Sequence, residues 1–224
     1  MNQAVEMLVK NGRIKGEALA LDSTFIKAYS RRNLDNRTGY SDPEPPIRRA
    51  VKAKDLGYSL HLAVDLKSEL PIAMIVVSAN ENEKKHSIAL FRKASKYVKP
   101  GKLLADAQYS APNLRENALS HGALPVIPYP RNQCKGVKGI LRVDRKFRSH
   151  GPQKFRRAYR KRVVVERVFS RLKNLASLSQ HNLRGLAKVT FHSQLCIIIM
   201  LLTAQVAIST HKLSKSKSIR YFAN

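Results

Sequence analysis

Three apolar runs within the first eighty residues constrain the fold more than any other feature. The first is EALALDSTFIKAY, residues 17–29. Leu19, Leu21 and Phe25 alternate with Ala20 and Ile26, so both sides of an extended chain are apolar, and Asp22 stands in the middle. Such a run suits an inner strand buried on both faces. GYSLHLAVDL (57–66) and LPIAMIVVS (70–78) come next. Only Lys67, Ser68 and Glu69 separate those two, so they read as a hairpin.

Strands and helices then alternate. Residues 83–98 place Ile88, Leu90, Phe91, Ala94, Tyr97 and Val98 near helical spacing, and Pro100-Gly101 stops the helix. KLLADAQY (102–109) is a short strand. Residues 111–121 form a helix with Pro112 in its first turn. Residues 124–129 are another strand, 155–177 a long helix and 191–209 a further apolar helix. Two polar stretches interrupt this order: 30–56, with Pro43, Pro45 and Pro46, and the basic loop 131–154. Three strands, then helix, strand, helix, strand, helix is the order of an α/β, ribonuclease H-like mixed sheet flanked by helices, here with an added C-terminal helix. Residues 16–210 are expected to form that domain, with residues 1–15 a short helical segment ending at an Asn11-Gly12 turn. Residues 211–224 are a basic tail expected to fray. The apolar run 195–208 is short for a membrane span and is expected to be a buried helix.

Charge selects the partner. Lys and Arg number 42 against 15 Asp and Glu, a formal net charge of +27. That surplus points to a polyanion, nucleic acid first. No segment reads as a basic amphipathic membrane anchor. Charge leaves the activity open, because a ribosomal-type binding protein is as basic. Cys134 and Cys196 form neither a disulfide framework nor a zinc spacing, which suits a reducing cytosol. The histidines lack ligand spacing; His61 and His192 read as packing residues, and Asp65 as a structural turn residue. Glu81 and Glu83 suit the start of the helix they precede, and Glu83 is the next acid to test should a fourth ligand be needed.

Acids are rare in the second half. After Asp106 there are only Glu116, Asp144 and Glu166. On an ideal helix, at about 100° per residue, Tyr159, Arg162, Glu166 and Lys173 fall within an arc of roughly 60°. Val164, Val165, Val168, Leu172 and Leu175 lie opposite and can pack. A carboxylate in line with cations suits a metal ion meeting a phosphodiester. A charge in mid-strand, as at Asp22, is expensive unless compensated, and Asp106 ends a short apolar strand. Spacing alone leaves plainer readings open: Asp22 satisfied by backbone N–H groups or Arg, Asp106 as a helix cap, and Glu166 as an ion-pair partner of Arg162.

Four segments resemble the DDE transposases of prokaryotic insertion sequences. ALDSTFIKAYSRRN is similar to the strand of the first Asp. GYSLHLAVDLKSELPIAMIVVSANENEKK is similar to the hairpin and the segment after it. KLLADAQYSAPNLRE resembles the strand of the second Asp. YRKRVVVERVFSRLK fits the signature Y-x2-R-x3-E-x6-K at Tyr159, Arg162, Glu166 and Lys173. The loop TGYSDPEPPIRRA also resembles the family. The resemblance covers about residues 17–205. It implies a ribonuclease H-like fold, two Mg²⁺ (or Mn²⁺) ions held by Asp22, Asp106 and Glu166, and DNA phosphates held by Tyr159, Arg162 and Lys173. Members carry a helical region before the first-Asp strand. Here Asp22 comes almost at once, so residues 1–15 read as its remnant.

The implied activity is metal-dependent cleavage at transposon ends and strand transfer into target DNA. The implied partners are double-stranded DNA, both ends and target, and a second copy of the chain when DNA is bound. No membrane is expected, and the place of action is the cytoplasm, on the nucleoid. The stretch 131–173, with 16 Lys or Arg and two acids, is expected to track the DNA backbone. Two other readings stand beside this one: a truncated, non-catalytic DNA-binding remnant, and a nuclease of the same fold with another role.

Overall fold

β1 (Ala18–Lys27) forms because its apolar residues can be covered on both sides at once. In a computed structural model of the chain, which describes residues 1–30, 47–49, 54–130 and 152–222, Leu19, Ala20 and Leu21 are fully buried. β1 is an inner strand. β3 (Lys54–Asp65) pairs with it antiparallel from Leu19↔Asp65 to Lys27↔Gly57, and β5 (Lys102–Ala105) pairs with it parallel on the other edge. β4 (Leu70–Ser78) extends the sheet antiparallel beyond β3, and β6 (Leu124–Val126) extends it parallel beyond β5. A three-residue strand, β2 (Ile47–Arg49), pairs with the start of β3. The sheet is therefore mixed, in the order β4-β3-β1-β5-β6, with β2 on β3.

The expected hairpin is β3–β4, and its turn is held from inside. The buried Asp65 carboxylate accepts hydrogen bonds from Ser68 N (2.8 Å), Ser68 Oγ (2.6 Å) and Gly16 N (3.1 Å). That is the structural role expected of Asp65. Gly16 takes φ +66°, and a Cβ there would meet the Val98 side chain at 2.3 Å, so glycine alone fits.

The two parallel connections run through α2 (Glu83–Ser95) and α3 (Pro112–Ser120). Asn82 caps α2 by accepting from Lys84 N, and Pro112 occupies the first turn of α3. Helix α1 (Asn2–Lys10) buries Val5 and Leu8 and packs against α6 (Leu186–Ser209). α6 lies on β4.

The long helix expected over 155–177 is two helices, α4 (Pro152–Arg160) and α5 (Val163–Leu175). Between them the backbone tightens: Lys161 N, Arg162 N, Val164 N and Val165 N each donate to the carbonyl three residues earlier. The run Val163–Val165 lowers helix propensity there, and a 3₁₀-type step replaces the α-helical ladder. α5 buries Val164, Val165, Val168, Phe169 and Leu172, as its apolar face requires.

The C-terminal helix is longer than the apolar run inside it. It begins at Leu186 and spans 24 residues, long and apolar enough by length and composition to cross a membrane. Here one side packs on the sheet and on α1, while Phe191, Leu195, Leu202 and Val206 stay exposed. The tail is folded rather than frayed. A 3₁₀ turn (Leu213–Lys215) leads to the short α7 (Ile219–Phe222), with Ser216 and Ile219 buried. The proline-bearing loop, most of the basic loop and Cys134 lie outside the described residues; Cys196 is buried and donates to Ala176 O.

One carboxylate ties the hairpin turn to α5 and to the tail. Glu69, at φ 58° in the β3–β4 turn, meets Arg167 and Arg171 (both 2.7 Å) and Lys217 (3.0 Å). Burial works against its charge, but hydrogen bonds from Arg167 and Lys217 and the attraction of Arg171 outweigh that and hold its pKa down, at about 2. The stability it contributes is fully present above pH 4.5 and is lost as pH falls through 2. Glu69→Gln keeps the shape and removes the charge. It should cost about 2–3 kcal/mol, less than for a wholly buried pair because Arg167 is half exposed. Thermal unfolding at pH 7 should show a Tm roughly 5–10 °C lower, with the gap closing towards pH 2.

Candidate active site

The parallel pairing of β1 with β5 runs from Ala18↔Lys102 to Leu21↔Ala105. The next residue on each strand is an aspartate, so Asp22 and Asp106 sit side by side where β5 ends. Asp106 is extended (φ −78°, ψ 178°) and caps the 3₁₀ turn Ala107–Tyr109, with Oδ1 accepting from Gln108 N (2.9 Å) and Tyr109 N (3.3 Å). Asp22 Oδ1 accepts from Ser23 N (2.9 Å), and Oδ2 accepts from Arg162 Nη1 (2.5 Å). The same guanidinium donates through Nη2 to Glu166 Oε1 at 3.0 Å. Arg162 thus links the strand carboxylate to the helix carboxylate.

Consecutive side chains on a strand point to opposite faces, and β1 uses this. Asp22 turns to the α4–α5 junction. Ser23 turns to α2, where its hydroxyl donates to Glu83 Oε1 at 2.5 Å. With its amide nitrogen turned to Glu83, Gln108 donates to Oε2 at 2.8 Å. Beneath this pair His61 Nδ1 and the Tyr109 hydroxyl share a hydrogen bond of 2.7 Å, both residues being fully buried. His86 lies beside His61 and pairs with Glu81 at 3.0 Å. Burial, helped by His86, lowers the His61 pKa to about 4, so the ring is neutral at pH 7, and among the described residues its Nε2 has no hydrogen-bond partner. His61 is a packing residue that anchors Tyr109.

The electrostatics are those of a crowded acidic site. Burial raises the Asp22 pKa to about 6. Arg162 and the Ser23 N–H pull it down, and the charges of Asp106 and Glu83 push it up again. Burial also opposes the Arg162 charge, yet Asp22, Tyr159, Glu166 and Asp106 together raise its pKa above the ordinary value. Tyr159 stacks on Phe155 at 5.9 Å, with the Arg162 guanidinium 5.8 Å from its ring.

The plainer contacts are all present: Asp106 is a cap, Glu166 pairs with Arg162 four residues earlier, and Asp22 is satisfied by a backbone N–H and an arginine. They coexist with the spatial grouping. The fold brings together Asp22, Asp106, Tyr159 and Arg162, with Glu166 joined through Arg162 and half exposed. Lys173 stands apart in the last turn of α5, about 10 Å along the helix from Glu166, its pKa lowered by burial. Among the described residues no three His, Cys, Asp or Glu side chains converge closely enough to hold one ion. The donor chemistry nonetheless suits a divalent cation. Asp22 and Asp106 are hard oxygen donors side by side, and the charge of Asp106 adds to the cost of ionising Asp22. Ser23 and Gln108 were invisible as site residues in the sequence, although each lies within two positions of an aspartate. Glu83, which the sequence marks as an acid at a helix start and the next to test as a fourth ligand, is held here by Ser23 and Gln108.

The sequence pattern of the Transposase DDE domain family matches residues 13–202. No curated protein matches the chain. Among solved structures, the piggyBac transposase synaptic complex with hairpin DNA aligns over 98% of this chain and 56% of that one, at 11% identity and a TM-score of 0.53. The catalytic core domain of BIV integrase aligns over 83% of each chain at 12% identity, with a TM-score of 0.45. The likeness to the piggyBac structure shows a shared fold: the mixed sheet with helices packed on it.

Asp22 makes the site costly when ionised. Its pKa of about 6 exceeds the 3.8 of an unburied aspartate, so its favourable contribution is full below pH 3.8 and is lost as pH rises through 6. At pH 8 the ionised group costs about 3 kcal/mol, two units at about 1.4 each. Asp22→Asn cannot ionise. In EDTA it should melt several degrees above the wild type at pH 8 and at the same temperature at pH 4. A variant no more stable at pH 8 would overturn the cost assigned to ionised Asp22.

Proposed function

The chain belongs to the Transposase DDE domain family, as its match over residues 13–202 shows, and from that premise we propose that it cuts DNA at transposon ends and joins the freed strand to target DNA. The observation that carries this reading is the pairing of Asp22 and Asp106 at adjacent strand positions, with Arg162 joining Asp22 to Glu166. In this reading Asp22, Asp106 and Glu166 hold two Mg²⁺ (or Mn²⁺) ions. Such ions, when bound, activate a water or a 3′-hydroxyl and stabilise the leaving oxygen.

The remaining work falls to the chain's own residues. Ser23 and the backbone N–H groups of residues 108 and 109 fix the two aspartates before any substrate arrives. Glu83, held by Ser23 and Gln108, backs them from the α2 side. Arg162 exchanges partners. Its guanidinium neutralises carboxylates through two nitrogens, and a phosphodiester offers the same two-oxygen geometry. Tyr159 lies within reach of the same phosphate. Lys173, two turns along α5, suits the next phosphate on that helix face rather than the reacting one.

The reading extends to duplex DNA, both ends and target, as partner, and to a homodimer that holds two ends together. It takes residues 16–210 as the catalytic domain, between the segment 1–15 and the tail 211–224. It places the chain on the nucleoid in the cytoplasm, on the strength of the +27 charge.

The test is nicking and strand transfer on duplex DNA carrying the ends of the encoding element, with Mg²⁺ or Mn²⁺, wild type beside Glu166→Gln. Wild type should do both. Glu166→Gln should keep DNA binding and lose at least about 100-fold in rate, the scale on which one stabiliser of transition-state charge acts. Mg²⁺ should raise the melting temperature of the wild type and leave that of Asp106→Asn unchanged. A wild-type chain that binds the ends but never cuts them with either metal would overturn the catalytic reading.

A further inference from the structure

The α4–α5 segment carries a second basic face. Tyr159, Arg162 and Glu166 look towards Asp22. Lys154, Arg157, Ala158 and Lys161 follow the helical spacing i, i+3, i+4, i+7 and lie on another side. With Lys102 they line a depression of about 530 Å³. It runs on into a second, of about 770 Å³, which shares Glu17, Ala18, Leu66 and Lys161 and adds Lys67 and Arg160. Six cations thus border one groove with an apolar floor, and among the described residues Glu17 is the only acid lining it. Among the described residues none of these six cations is ion-paired. Arg167 at the margin, by contrast, is committed to Glu69.

The groove has a defined place relative to the carboxylates. Ala18 and Lys102 are register partners, each four residues before its strand's aspartate. Leu104, two residues before Asp106, also lines the groove, so it runs back along β1 and β5 from near the acids, and at about 3.3 Å per residue Ala18 and Lys102 lie roughly 13 Å from Asp22 and Asp106. Six unpaired like charges around a concavity repel one another, and a polyanion laid along them relieves that. Duplex DNA, a continuous polyanion with one phosphate charge per about 1.7 Å of axis, can meet several of these cations along two joined depressions, which a small anion cannot.

We propose that this groove is a second DNA-backbone site, which grips duplex phosphates up to about four base pairs from the bond held at Asp22 and Asp106. The proposal rests on the reading of the chain as a DNA-cutting enzyme. It adds a separate surface, formed by Lys67, Lys102, Lys154, Arg157, Arg160 and Lys161, that the acidic site does not need for its geometry.

The test compares the salt dependence of binding to a 30-base-pair duplex. The triple variant Lys102→Ala, Arg157→Ala, Lys161→Ala is set against Lys10→Ala, Lys93→Ala, Lys188→Ala, which removes the same charge from exposed positions elsewhere. Loss of three phosphate contacts should flatten the slope of log K against log salt by about 2.7, and the control should leave it unchanged. Equal slopes in the two variants overturn the groove. A second measurement needs no variant: acetylation of wild-type lysines with and without duplex, read by mass spectrometry. Lys67, Lys102, Lys154 and Lys161 should be protected several-fold and Lys10 and Lys93 should not; unchanged reactivity at the four overturns the proposal even if the triple variant fails to fold. A wild-type chain that binds no DNA defeats the proposed function itself, whereas binding without groove protection defeats only the groove.

Discussion

β1 runs between an antiparallel neighbour and a parallel one, and its burial on both faces makes that position obligatory. An inner strand cannot slip by one residue without turning its whole apolar set. The pairing Leu21↔Ala105 therefore leaves no freedom in where Asp22 and Asp106 lie. Two carboxylates are forced together where β5 ends, between inner strands of a hydrophobic sheet, where neither would settle on its own account. The remaining features of the site answer that crowding.

Arg162 is the main answer on one face. It is drawn in by Asp22 and Glu166 at once, and the 3₁₀ step between α4 and α5 sets its approach. On the other face the answer is neutral rather than cationic: Ser23, Gln108 and Tyr109 surround Glu83 and Asp106 with donors, and His61 stays uncharged beneath them. The Glu69 cluster plays a quieter part by fastening α5 to the β3–β4 turn, so the helix that carries Glu166 is fixed at a point remote from the acids. A rigid frame can hold an electrostatically unfavourable centre in place without a ligand.

Much of this was legible in the chain. The alternation in residues 17–29, the hairpin, and the helices at 83 and 112 were readable because hydrophobic period and helix caps are local properties. The two long C-terminal elements were read less well. A straight helix through 155–177 looked sound by periodicity, but Val163–Val165 yields a tighter turn once α5 packs on β1. The tail looked frayed because its charge is high, yet Lys217 finds Glu69, a residue 148 positions earlier (217 − 69), and Ile219 finds the core.

The sequence by itself determined the class of fold, the family, the order of Asp22, Asp106 and Glu166 along the chain, the signature from Tyr159 to Lys173 and the +27 charge. Each of these depends on residue type and near-neighbour spacing. Tertiary structure alone decided which acids share a space, that Arg162 joins Asp22 to Glu166, that Glu83 backs the site through Ser23, and that Lys102 joins Lys154 and Lys161 around one groove. These depend on strand register and on helix placement across the sheet. Charge interactions act through space, and no local period encodes which distant side chain will end up within hydrogen-bond reach.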